Sequence, residues 1–131
     1  MAEFTTTRAQ PAPFGTAPDG SDVRPLLATS GASFAHFELA PGQTSRALKH
    51  QTVEEAWYFL GGRGELWRSD DDKAEVVAVE AGVCVAIPLG TSFQLRALGY
   101  DPLALVAATT PPWPGDGEAS EVTGKWSPTV A

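Results

Sequence analysis

The chain has 131 residues, with 9 Lys+Arg against 16 Asp+Glu, a formal charge of −7, 43% hydrophobic and 19% charged residues. That is the size of one domain with enough apolar material for a core, and it argues against a wholly disordered chain. An acidic chain without a Lys/Arg cluster excludes nucleic acid and an anionic membrane surface as partners, because both are held largely through neutralisation of phosphate charge.

In chain order, residues 1–22 are rich in Thr, Ala, Pro, Gly and Asp, show no periodicity and read as a flexible N-terminal arm. No apolar core of a signal peptide occurs in residues 1–16, and no apolar run reaches the roughly 18 residues of a membrane span. The single Cys84 forms no internal disulfide, so a cytoplasmic location is expected.

Strands are expected over 23–29, 32–39, 45–50, 55–60, 64–68, 74–79, 83–87, 92–97 and 103–109. Turn signals separate most of them: Pro41-Gly42, Gly61-Gly62, Asp70-Asp71-Asp72, Ala81-Gly82, Leu89-Gly90 and Asp101-Pro102. Many short strands with Gly/Pro punctuation indicate an all-β sandwich or barrel over 23–112. In Pro111-Pro112-Trp113-Pro114-Gly115, three of five residues lack an N–H and cannot join a ladder. Trp113 there either packs on the barrel or forms a lid over its mouth. Residues 113–131 read as an extended C-terminal tail, mobile from 116 onward.

Candidate chemistry centres on two histidines, His36 and His50. Period-2 alternation puts Leu48 and His50 on one strand face, with Arg46 in the same parity. It likewise puts Glu55, Trp57 and Phe59 on one face of the next strand. Two adjacent strands would then gather His50 and Glu55 above an aromatic floor. Trp57, Phe59 and Phe93 either fill the core or line a pocket of low polarity. Arg46 is a candidate to hold an anionic substrate. Three roles are open to His50: a hydrogen-bonded structural residue, a proton-transfer group paired with Glu55, or a metal ligand. His36 would complete a metal site if its side chain faces inward. Cys84, alternating with apolar residues, is expected to be buried and inert. Gln94 and Arg96 lie opposite Phe93 in parity and are expected to face solvent or an interface. Asp70–Asp72 read as a solvated hairpin tip.

Two spacings in this stretch resemble the cupin superfamily. Gly42, five residues, Leu48, Lys49, His50, four residues, Glu55, six residues and Gly62 fit the first cupin motif with one substitution. Gly82, five residues, Pro88, Leu89, Gly90, two residues, Phe93, three residues and Ala97 fit the frame of the second. The resemblance implies a double-stranded β-helix barrel, jelly-roll-like, and a homodimer. It also implies a metal site in which Leu48 and Phe93 replace two of the usual ligand histidines, leaving His50 and Glu55. Glu54 would serve for Glu55, since the motif allows either spacing; Gly62 favours Glu55. The cofactor expectation is none or one divalent ion among Fe, Mn, Ni, Cu and Zn. The depleted ligand set points to proton-transfer chemistry on a small molecule (isomerase, cyclase or lyase) with His50 and Glu55 as the acting residues. The alternatives are a metal-dependent enzyme and a barrel that binds a small molecule without catalysis.

Overall fold

The alternating sequence folds into strands joined by turns and loops. The computed structural model describes residues 4–9, 11 and 14–131, and these contain no helix. In chain order the strands are β1 (Gly15–Thr16), β2 (Asp22–Ala28), β3 (Ser33–Leu39), β4 (Ala47–His50), β5 (Glu54–Gly61) and β6 (Arg63–Ser69). They continue as β7 (Ala74–Glu80), β8 (Cys84–Ile87), β9 (Ser92–Leu98), β10 (Leu103–Thr110) and β11 (Ala119–Val122). One sheet runs β1-β2-β3-β10-β5-β8 and the other β11-β4-β9-β6-β7, with antiparallel pairing throughout.

The core draws from the inner faces of both sheets, with Leu39, Trp57, Phe59 and Leu105 from the first and Leu48, Leu66, Phe93 and Leu95 from the second. In β5 the period is clean: Glu55, Trp57 and Phe59 are buried while Glu54, Ala56 and Tyr58 are exposed. Phe59 is completely buried. Phe59→Ala is therefore expected to cost about 3–5 kcal/mol, measured as a lower denaturant midpoint at constant slope.

The four motif glycines, Gly42, Gly62, Gly82 and Gly90, all have positive φ. At Gly62 space is also missing, since a Cβ would meet the Pro102 carbonyl oxygen at 2.2 Å. The spacing of the motifs is thus the spacing of turns that bend one strand back on the next. At the hairpin tip the Asp70 carboxylate accepts from the N–H groups of Asp72 and Lys73, as a solvated turn requires.

Both chain ends depart from the expectation. Of the N-terminal arm, residues 1–3, 10, 12 and 13 lie outside the described residues. Gly15 and Thr16 pair with β2, and Ala17, Asp19 and Ser21 are buried, so this part is docked. Residues 116–131 are also tied down: β11 pairs with β4, and Thr129 bonds Gln43 and Thr44. The reason lies beneath them in Gln94, which is fully buried and was expected at solvent or an interface. Its amide donates to the Ser45 and Trp126 carbonyls and accepts from the Trp126 N–H, so the C-terminal segment satisfies a buried polar group. Arg96 lies beside it, paired with Glu65 and stacked 4.4 Å over Trp126. Cys84 is exposed, contrary to expectation, because Val85 and Ile87 take the inward parity of β8.

Candidate functional site

Between the sheets lies a cavity of about 880 Å³. Its walls are mostly hydrocarbon and aromatic, including Leu27, Phe37, Leu48, Trp57, Phe93 and Trp113. Three acidic residues, Asp19, Glu55 and Asp116, reach it, and no Lys or Arg does among the described residues. A cavity of this size and lining suits a small, largely apolar molecule.

Glu55 enters the cavity from β5, with only 9% of its surface exposed. Thr109 stands directly opposite it on β10, so register alone brings the two side chains together. The Thr109 hydroxyl donates to Oε2 at 2.6 Å, and the Trp57 indole N–H donates to Oε1 at 2.9 Å. Each oxygen is thereby held in place, and each retains acceptor capacity. The Trp57 indole is fixed in turn by edge contacts to Phe93 at 5.3 Å and Phe59 at 6.3 Å.

The expected pairing of His50 with Glu55 is not present. β4 and β5 belong to different sheets, and no hydrogen bond joins these two side chains. The His50 ring is buried against Phe93 at 5.1 Å and Trp113 at 5.6 Å, outside the cavity wall. Its Nδ1 is buried and meets no hydrogen-bond partner among the described residues. Trp113 packs edge-on against His50, the first of the two roles open to it, and lines the cavity. Phe59 belongs to the core beneath Trp57 and does not reach the cavity.

His36 does not complete a metal site. Ala35 and Phe37 take the cavity side of β3, and His36 takes the other, where Arg24 donates to Nδ1 at 2.9 Å and Glu38 lies 3.1 Å from Nε2. Arg46 is likewise misplaced for a substrate anion. It lies outside the cavity wall, donates from its guanidinium to the Ala131 main-chain oxygen, and bonds the Asp19 carbonyl through its N–H at 2.8 Å.

The residues present do not fit a metal ion. Among the described residues no three His, Cys, Asp or Glu side chains converge. The two substituted ligand positions, Leu48 and Phe93, face each other across the β4–β9 ladder. They form a hydrocarbon pair where nitrogen donors would be needed.

Two carboxylates have roles that no motif announced. Asp19, in the turn Pro18-Asp19-Gly20, is 8% exposed and lines the cavity. Burial pushes its carboxyl above the ordinary range and the Glu55 charge adds to this, against the pull of the Ser21 hydroxyl and N–H and of Arg46. Glu118 accepts from the N–H groups of Gln51, Thr52 and Val53 and from the Thr52 hydroxyl, clamping the loop between β4 and β5. Burial works to raise its carboxyl, but the Thr52 hydroxyl and the three N–H groups prevail and hold it below the usual range. The Pro-Asp-Gly turn was the only visible signal at Asp19; Glu118 carried none.

Residues 35–109 match the Cupin domain family. The chain belongs to the cupins. It is 33% identical over 100 residues to an uncharacterised protein of Methanocaldococcus jannaschii, a match covering 72% of this chain and 77% of that one. A double-stranded β-helix protein of Klebsiella pneumoniae superposes with a TM-score of 0.67 at 16% identity, over 85% of this cupin and 91% of that chain. Oxalate decarboxylase of Bacillus subtilis gives a TM-score of 0.72 at 14% identity, over 82% of this cupin and 29% of that chain. The capsular polysaccharide assembling protein CapF of Staphylococcus aureus gives 0.68 at 16% identity, over 84% and 34%. At these identities the structural likeness is one of fold, and fold alone selects no reaction. No helix among the described residues is long and apolar enough to cross a membrane.

Proposed function

We propose that this cupin is a small-molecule enzyme that moves a proton on a neutral, largely hydrocarbon substrate bound inside the barrel. Glu55 is the base. The observation that carries the reading is a carboxylate about nine-tenths buried, aligned by Trp57 and Thr109, in the wall of an otherwise apolar cavity. Such a group reaches its catalytic position without reorganising, and water is excluded from most of its surroundings. The substrate carries an acidified C–H, as next to a carbonyl, because a carboxylate removes no proton from plain hydrocarbon. Anionic substrates are disfavoured, since three acids and no Lys or Arg line the cavity among the described residues. The Bacillus oxalate decarboxylase has Mn(II) centres. The Leu48–Phe93 pair supports a different chemistry here.

The natural substrate need not be identified for the test. The protein is incubated in D2O with a panel of apolar carbonyl compounds, including cyclohex-3-enone, its phenyl-substituted homologue and phenylacetone. NMR then follows deuterium entering the carbon next to the carbonyl. Exchange above the buffer rate supports the reading. Saturable binding of the panel, detected by Trp fluorescence, with exchange at the buffer rate would instead identify a barrel that binds without catalysis.

A further inference from the structure

Glu55 removes a proton, and a separate acid that delivers one at another carbon turns exchange into isomerisation without Glu55 having to reach both carbons. The cavity holds a second carboxyl group. Asp19 and Glu55 line the same cavity and reach it from different segments, the turn before β2 and strand β5. Asp19 is held firmly. Its Oδ1 accepts from the Ser21 N–H at 2.9 Å and the Ser21 hydroxyl at 2.6 Å. The surrounding turn is closed by Gly20 N–H to Ala17 carbonyl at 2.9 Å and pinned to Arg46 through the Asp19 carbonyl at 2.8 Å. Gly20 packs so tightly that a Cβ there would overlap Val130. Oδ2 accepts no hydrogen bond from the described residues and is not itself sealed off, in a residue 8% exposed. A carboxyl in that state is costly as an anion and inexpensive as a neutral acid, with its O–H free to donate into the cavity.

We propose that Asp19 is a second catalytic residue, the acid that delivers a proton to one carbon of a neutral carbonyl substrate after Glu55 has taken a proton from another. This rests on the reading of Glu55 given above. The reaction class is a 1,3-proton shift, written here for a β,γ-unsaturated ketone. Glu55 takes the α-proton, and the C–H pair becomes a new C=C as the carbonyl pair moves onto oxygen. Asp19 then gives its proton to the γ-carbon. That C–H bond forms from the former β,γ π-pair, and the oxygen pair restores the carbonyl. One proton leaves the substrate and one enters, with no oxidation. Glu55 is left protonated and Asp19 ionised, and a proton passing between them through solvent resets the site after release. A carboxyl whose burial favours its acid form, in one cavity with a second carboxyl, is suited to this division of labour. The charged groups acting on Asp19 are Glu55, which favours its acid form, and Arg46, which opposes it.

The experiment measures two rates with cyclohex-3-enone in D2O on the intact protein: deuterium exchange at the α-carbon and conversion to cyclohex-2-enone. Asp19→Asn retains an acceptor for the Ser21 donors but has no proton of suitable acidity. It is expected to lower the ratio of conversion to exchange at least tenfold, a change that a merely structural role would not produce. An unchanged ratio overturns the role of Asp19 while leaving Glu55 as the base. Absence of both rates in the wild type overturns both readings together. Should Asp19→Asn fail to fold, carboxyl NMR on the wild type and on Glu55→Gln decides. Asp19 is expected to titrate above the ordinary aspartate range, and to move down when Glu55 loses its charge. Titration in the ordinary range overturns the proposal.

Discussion

Glu55→Gln is expected to lower the rate of α-carbon exchange by about 10²–10⁴-fold, the usual contribution of a positioned acid or base. The amide is close to the carboxylate in shape and cannot take up a proton at this acidity. The fold should survive because its hydrogen bonds can be rebuilt. The Trp57 indole N–H only donates, so the glutamine oxygen turns toward it. The Thr109 hydroxyl both donates and accepts, so it rotates to receive the amide N–H. Unchanged circular dichroism and a thermal midpoint within a few degrees of wild type would separate lost chemistry from lost structure. A glutamine variant that exchanges at the wild-type rate would remove Glu55 from the mechanism.

The second large effect is expected at Glu118. Its carboxylate is the acceptor for three consecutive main-chain N–H groups, those of Gln51, Thr52 and Val53, in the loop that leads from His50 to Glu55. Glu118→Ala leaves the Thr52 and Val53 N–H groups and the Thr52 hydroxyl without their acceptor, while the Gln51 N–H keeps the Glu118 main-chain carbonyl at 2.9 Å. At about 1 kcal/mol for each of the three donors left unpaired, the loss is about 3 kcal/mol. In thermal unfolding that corresponds to a midpoint lower by roughly 10 °C. The pH dependence has a definite sign. The folded carboxyl is held below the usual glutamate range, so its stabilisation is present in full above that range. It is lost as pH falls through the folded value. Wild-type unfolding midpoints should therefore drop more steeply on acidification than those of Glu118→Ala. Parallel curves would mean that the carboxylate charge contributes nothing to the clamp. Because the clamped loop joins β4 to β5, the same variant should also loosen the His50–Trp113 contact, seen as a change in Trp emission.

Much of the fold was legible because its signals are local. A strand alternates with period 2, and a tight turn needs a glycine at positive φ. Both are decided within a few neighbouring residues, as in β5 and at Gly62. The buried face of Glu55, Trp57 and Phe59 followed directly from parity. Parity failed at Cys84, where Val83, Cys84 and Val85 are all apolar enough to be core, and only the packing of Val85 and Ile87 decides which face is inward. The docked ends were illegible for a related reason. Gln94 has the composition of a surface residue until a segment 32 residues away covers it and supplies its partners.

The candidate site divides along the same line. The cupin turn spacing, the inward placement of Glu55 and Trp57, and the hydrocarbon at Leu48 and Phe93 in place of two metal donors are all written in the local sequence. Each of these depends on residue type and on order along one strand. That Thr109 orients Glu55, that Asp19 shares its cavity, that His36 faces away and that His50 stands apart all arise from long-range packing. Those outcomes depend on which strands become neighbours and at what register. Glu55 and Thr109, 54 residues apart, touch because antiparallel pairing sets them opposite each other, and nothing in either local sequence records that pairing.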